Sequence, residues 1–270
     1  MSWLDRPASE TQISHRARLW LYALAAIVLA FLVLPTLIVV PMSFSASQYL
    51  EFPPREWSLR WYANYVNSAS WMRATFTSLK AGLLTTLLAT PLGTMAAYGL
   101  FVSRLRWAGL ALPVLLTPII VPVILVGIGV FYAYVRLKLV NTLLGLVLAH
   151  SMLALPLVVM VVTSALKSYD MSQELAARSL GASRPRAVLL VTLPQIRFAL
   201  ATAAVLAFLT SFDEVVIALF VSGGDNATLT RAMFTALRDQ IDPTIAAIST
   251  VMMVISSLLV GLSQVLGKRR

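Results

Sequence analysis

Long apolar stretches, separated by short clusters of charge and aromatic residues, set the pattern of this chain. A helix that crosses a bilayer needs about 20 predominantly apolar residues. Six stretches reach that length: residues 18–44, 75–103, 107–135, 139–166, 187–221 and 244–266. The pattern predicts an all-α membrane protein with six transmembrane helices, a polar tail over 1–17 and a single transmembrane domain over 18–270. The first stretch does not read as a removable signal, because its apolar run over 19–41 exceeds the usual 7–15 residues and no A-x-A site follows.

Basic residues orient the spans. With the N-terminus inside, Arg6, Arg16, Arg18, Arg104, Arg106, Lys167, Arg178, Arg184, Arg186, Arg197, Lys268, Arg269 and Arg270 fall on the cytoplasmic side. That is thirteen, against eight on the other side (Arg55, Arg60, Arg73, Lys80, Arg136, Lys138, Arg231, Arg238), so both termini are expected in the cytoplasm. Eight prolines lie within the spans. Each removes a backbone donor, which is tolerated in lipid where neighbouring helices or a lined cavity satisfy the freed carbonyls. Pro113, Pro118 and Pro122, followed by Gly127 and Gly129, predict a broken or kinked third span. Bent helices suit a transport path, although prolines are also simply common in membrane helices.

Composition narrows the function. Charged residues make up 12% and hydrophobic ones 59%, about half the charge of a soluble domain, which excludes a cytosolic enzyme and a disordered chain. The formal net charge of +10 reads as basic loops beside a membrane, not as a nucleic-acid surface. Trp57, Trp61, Tyr62, Tyr65 and Trp71 among Arg55, Arg60 and Arg73 read as an aromatic belt, with Ser58 capping a short helix from Leu59 to Val66. The chain has no cysteine, and of its two histidines His15 lies in the tail while His150 lies mid-span. Neither a metal site nor a cofactor is expected. No G-x-x-x-x-G-K-[ST] stretch exists to cradle ATP phosphates, and no catalytic constellation converges, so the chain is not read as an enzyme.

The loop between the fourth and fifth spans, about 167–186, carries most information. Asp170, followed three residues later by Gln173, resembles a capping box, and Gly181 is a natural helix stop with Pro185 beyond. A helix of about ten residues is expected on the cytoplasmic face, with Ala176 and Ala177 smoothing one side. Val191, Leu193 and Pro194 then bend the start of the fifth span.

Those residues resemble the EAA loop of ABC-importer permeases, E-A-A-x3-G-x9-I-x-L-P. Ala176, Ala177, Gly181, Leu193 and Pro194 match in spacing; Leu175 stands in the acidic place with Glu174 one residue early, and Val191 replaces isoleucine. The resemblance implies that Glu174, Ala176, Ala177, Gly181, Leu193 and Pro194 form an ATPase-docking loop around a coupling helix. The alternative is an ordinary amphipathic connecting helix. Pro91 to Tyr98 also resembles the corresponding stretch of these permeases, and Phe52 to Pro54, Ser58 to Tyr62, Ser211 to Ser222 and Thr228 to Phe234 are similar to the spermidine/putrescine permease group. Membership in that group implies a cytoplasmic ABC ATPase dimer, a second and different permease, a periplasmic solute-binding protein and the bacterial inner membrane.

Asp213 and Glu214 are the only acids deep in an expected span, where an ionisable residue costs about 2.5–3.5 kcal/mol on insertion scales. One reading has Asp213, with Glu214 and Phe212 beside it, lining the path of a cationic solute. The other pairs the acids with a basic or backbone group of a partner permease. The whole points to the permease subunit of an ATP-driven importer of a small solute, a polyamine by resemblance. The alternatives are an importer of another small solute, such as an amino-acid derivative, and an ion-coupled secondary transporter.

Overall fold

The computed structural model describes residues 13–103, 108–239 and 241–267, and these are helical almost throughout. Arg6, Arg104, Arg106 and Lys268 to Arg270, which entered the orientation argument, lie outside them. The helices are α1 (Leu19–Met42), α2 (Arg60–Asn67), α3 (Ala69–Val102), α4 (Ala108–Ile120), α5 (Val123–Leu137), α6 (Leu143–Lys167), α7 (Ser172–Ser179) and α8 (Arg184–Ala187). A π-helical turn (Val188–Thr192) follows, then α9 (Leu193–Gln195), α10 (Arg197–Phe212), α11 (Val216–Val221), α12 (Leu229–Asp239) and α13 (Thr244–Gly267). Among the described residues four helices are long and apolar enough to cross a membrane, and the count reaches six if each of two sharply bent pairs is one span.

Contacts divide the chain into two units. The first comprises 1–64 and 241–251. Its α1 is exposed at every position from 19 to 38, an apolar surface that requires lipid or protein around it. The segment after α1 folds back on itself through an isolated antiparallel bridge between Ser45 and Trp57. Arg60 N–H donates to Ser58 Oγ at 3.1 Å, so the short helix begins one residue later than the sequence suggests. Trp61 is buried, its indole donating to the Ser47 carbonyl at 3.1 Å, whereas Trp57 stays exposed. The expected belt is therefore divided, because an indole N–H that finds a carbonyl gains by turning inward.

The second unit comprises 65–240 and 252–270, and its core is the packing of α3, α6 and α10. Lipid tails are as apolar as leucine, so helices in a bilayer associate through close fit and small residues rather than through a hydrophobic drive. The core obeys this rule. Ala89 and Ala97 of α3 meet Ala154, Val158 and Val162 of α6 and Ala203 and Ala207 of α10, all fully buried. Gly93 is required by the approach: a Cβ there would lie 2.6 Å from Val158 Cγ1.

The bends follow the prolines. α4 and α5 meet at 96° across Val121 and Pro122, as the proline cluster predicts. The fifth stretch departs from expectation: it is not one helix over 187–221. Arg184–Gln195 and Arg197–Phe212 are bent by 80°, and the helix stops again before α11. The π-helical turn closes with Leu193 N–H bonded to the Val188 carbonyl, immediately before Pro194. Upstream, α3 starts six residues before the expected 75, with Ser68 Oγ capping Trp71 N–H.

Candidate functional site

Two places collect the residues that the sequence singles out. The first is the α7 segment. Asp170 Oδ1 accepts from the Ser172 N–H at 2.9 Å and Oδ2 from the Ser172 hydroxyl at 2.7 Å. These bonds hold the Asp170 carboxyl below the usual carboxylate range. The local start is thus an aspartate turn onto Ser172 rather than a capping box with Gln173. At the other end Gly181 has φ +95°, with its N–H on the Arg178 carbonyl at 3.0 Å and Ala182 N–H on the Ala177 carbonyl at 3.1 Å. This is a Schellman stop, and glycine adopts that left-handed backbone without strain. The helix has eight residues rather than ten.

The docking-loop residues do not share one face. Glu174 turns inward and is 0% exposed, whereas Leu175 is 53% and Leu180 89% exposed. Ala176 also faces out and Ala177 is half-buried. Leu193 packs against the α3–α6–α10 core, and Pro194 is exposed at the bend. Among these six, Glu174 therefore belongs to the inside of the loop, because its carboxyl finds donors there. The Tyr98 hydroxyl on α3 donates to Oε1 at 2.7 Å, and the Thr192 hydroxyl, at the end of the π-helical turn, donates to Oε2 at 2.9 Å. Arg184 Nε donates to the same Tyr98 oxygen at 3.3 Å, with its guanidinium 5.6 Å from the Tyr98 ring centroid. Thr192 had no role in the sequence reading, and Tyr98 and Arg184 entered it only as the end of a resembling stretch and as a cytoplasmic charge, not as site residues. A tyrosine near the end of an apolar span was the available signal for Tyr98. Beside α7, Ser168, Tyr169, Asp170, Gln173 and Gln195 help to line an open cavity of about 560 Å³.

The second place is the break between α10 and α11. The sequence reading places the acids within a helix over 187–221; instead they lie in the gap that ends at Val215. Asp213 N–H closes the last turn of α10 onto the Leu209 carbonyl at 3.0 Å. Its carboxylate is exposed, and no hydrogen-bond partner for it occurs among the described residues. Glu214 points the other way. Its carboxylate accepts from the Ile217 and Ala218 N–H groups, each at 3.0 Å, so it caps α11. His150 Nε2 lies 3.8 Å from Glu214 Oε2, and His150 Nδ1 lies 2.7 Å from Ser211 Oγ, all within the bundle. At the C-terminal end of α11, Arg231 donates to the Ala218 carbonyl at 3.2 Å. Phe212 is buried and stacked on Phe208, ring centroids 5.3 Å apart. Two aromatic faces pack better against each other than against water. Among the described residues, no group of three metal-binding side chains forms.

A profile of the family described as binding-protein-dependent transport system inner membrane component matches residues 89–270, a region that includes both places. The spermidine/putrescine transport system permease protein PotC of Escherichia coli (strain K12) is 28% identical over 239 residues, 88% of this chain and 90% of that one. The putrescine transport system permease protein PotI of the same organism is 30% identical over 241 residues, 87% of this chain and 85% of that one. The fold is shared with a chain of a bacterial ABC transporter involved in the import of the acidic polysaccharide alginate. That match has a TM-score of 0.70 at 14% identity, covering 96% of this chain and all of the other.

Proposed function

The chain belongs to the family of binding-protein-dependent transport system inner membrane components, as the multi-pass permease of an ABC importer in the bacterial inner membrane, and on that premise we propose that its solute is a polyamine such as putrescine or spermidine. The observation that carries this reading is the division of labour at the helix break. Glu214 spends both oxygens on α11, whereas the neighbouring Asp213 carboxylate is exposed and without a hydrogen-bond partner among the described residues. A fixed anion at a break in a membrane helix, held there by backbone geometry, suits a solute that carries several ammonium groups. The two Escherichia coli relatives, named as permeases for spermidine and putrescine, support the same class.

The permease works as one part of an assembly. It acts as a transport subunit, with ATP hydrolysis in a partner. An ATPase dimer docks on the outward side of α7, through Leu175, Ala176 and Leu180. A second, different permease completes the path, and a periplasmic solute-binding protein delivers the solute. Both termini and α7 then lie in the cytoplasm. ATPase closure moves α7 as a rigid element, and the bent spans change their packing around the path.

The test is uptake of radiolabelled putrescine and spermidine by the complete transporter in cells that lack other polyamine importers. Asp213→Asn is expected to raise the apparent KM by about tenfold, as loss of one charged contact to a desolvated cation would. The ATPase should still co-purify with the variant. Unaltered KM and maximal uptake would remove Asp213 from the path, and failure of the unsubstituted transporter to take up either amine would remove the solute class.

A further inference from the structure

We propose that Glu174 is the positioning residue that carries the motion of α7 into the membrane-spanning bundle, through Tyr98 on α3 and Thr192 at the π-helical turn, and that it does not touch the ATPase. The inference rests on α7 being the docked element.

A helix of eight residues has too few turns to hold itself together in water. Its connections to the bundle along the chain are turns, and one of them contains Gly181 at φ +95°. A push on such an element is absorbed by its turns unless side chains bolt it to something stiff. Among the described residues, two side-chain hydrogen bonds leave α7 for the bundle, and both end on the Glu174 carboxyl. One comes from Tyr98, near the end of the longest helix in the chain, which packs along α6 and α10. The other comes from Thr192, at the end of the π-helical turn and next to the Leu193–Gln195 segment where the 80° bend begins. A π-helical turn is a weak point in a helix and is often found at functional sites. Glu174 thus ties the docked element to a rigid rod and to a hinge at once.

Arg184 strengthens the assignment. It reaches Tyr98 from the start of α8, donating to the hydroxyl that itself donates to Glu174. The node therefore joins α3, α7, α8 and the π-helical turn through four side chains. Glu174 is wholly buried, so a docking partner reaching the exposed Leu175, Ala176 and Leu180 would not meet it.

The absence of cysteine supplies the test. The complete transporter is reconstituted in proteoliposomes with Ala176→Cys as the one thiol in this chain, labelled with a photoactivatable maleimide. Crosslinking to the ATPase is recorded together with the amount of putrescine imported per ATP hydrolysed. In Glu174→Gln the crosslink persists and import per ATP falls by about tenfold, the size of an ordinary coupling energy between sites. Tyr98→Phe, which deletes one hydroxyl, lowers the same ratio by about threefold, and the double variant is no worse than Glu174→Gln alone, as expected for members of one network. A crosslink with import per ATP within about twofold of the parent in both single variants overturns the inference. If Glu174→Gln does not assemble, Tyr98→Phe decides alone by the same ratio. No crosslink in the Ala176→Cys parent removes the docking reading, and the inference with it, a result distinct from an intact crosslink with unchanged coupling.

Discussion

Glu174 and Glu214 are both acids with two bound oxygens, yet they do opposite things. Glu214 bonds the N–H groups of residues three and four positions ahead, so its hydrogen bonds are local to α11, with His150 of α6 nearby at 3.8 Å. Glu174 bonds one side chain 76 positions back and another 18 positions ahead, so it joins elements that the chain alone would leave independent. A local cap survives any rigid-body movement of its helix. A bond between elements restrains their relative position, which is what a transmitting device needs and what a cap cannot supply. The same residue type thus becomes a helix cap in one place and a coupling in another, according to where its donors come from.

Alanine at each position sharpens that contrast most strongly. Leaving two donors without an acceptor costs roughly 1–3 kcal/mol for each donor in either case, so total stability will not separate them. The reach of the damage will. In Glu214→Ala, amide hydrogen exchange is expected to accelerate over 216–218 and stop at the His150 neighbourhood. In Glu174→Ala it is expected to accelerate in three separated segments, around residues 98, 174 and 192, because each loses the same anchor. Exchange confined to α7 in Glu174→Ala would break the comparison.

The distinction was not legible in the chain itself. Six apolar stretches are plain by length, and the proline cluster 113–122 marks a real 96° break. The start of α3 is hidden because Arg73 and Lys80 lower the apolar signal of a helix that begins at Ala69. The stop at Phe212 is hidden for the opposite reason: residues 215–221 are apolar again, so the run reads as unbroken although α10 stops at Phe212 and Glu214 caps the start of α11. In the α7 loop, matching the spacing of Ala176, Ala177 and Gly181 located the element correctly but not its inner face. Glu174 and the half-buried Ala177 are three positions apart and share a side of the helix. A polar residue on a short surface helix would ordinarily face water, and only donors distant in sequence, Tyr98 and Thr192, explain why this one does not. Nor does the fold name a solute, since one architecture carries many cargoes and the choice sits in a few side chains.

Gly181 tests whether α7 must also be stopped sharply to be held. Its φ of +95° lies where a Cβ is strained, although a Cβ would meet nothing within 4 Å. Gly181→Ala therefore isolates backbone strain, about 1 kcal/mol, and should raise exchange at residues 178–182 by about fivefold. Gly181→Asn, whose side chain tolerates the left-handed region, should recover most of the protection. If both variants behave alike, sterics at the stop do not matter and the Schellman bonds alone define the end of α7. Import per ATP should change less than in Glu174→Gln, because the node through Tyr98 and Thr192 remains intact.

Asp170 gives the smallest effect and the purest local case on the same segment. Its carboxylate is exposed, and the N–H and hydroxyl of Ser172 hold its pKa below the usual value. A carboxyl with a depressed folded pKa stabilises the fold once the pH is above its unfolded value, about 3.9, and loses that contribution as the pH falls through the lower folded value. A carboxyl-carbon NMR titration of the labelled protein should therefore give Asp170 a midpoint under about 3.9. Ser172→Ala, which removes the hydroxyl donor, should move the midpoint upward toward the ordinary value. Import per ATP near neutral pH should be unaffected by Ser172→Ala if α7 is held from within by Glu174. A drop in coupling comparable with that of Tyr98→Phe would instead mean that the start of α7, and not the buried node, bears the load.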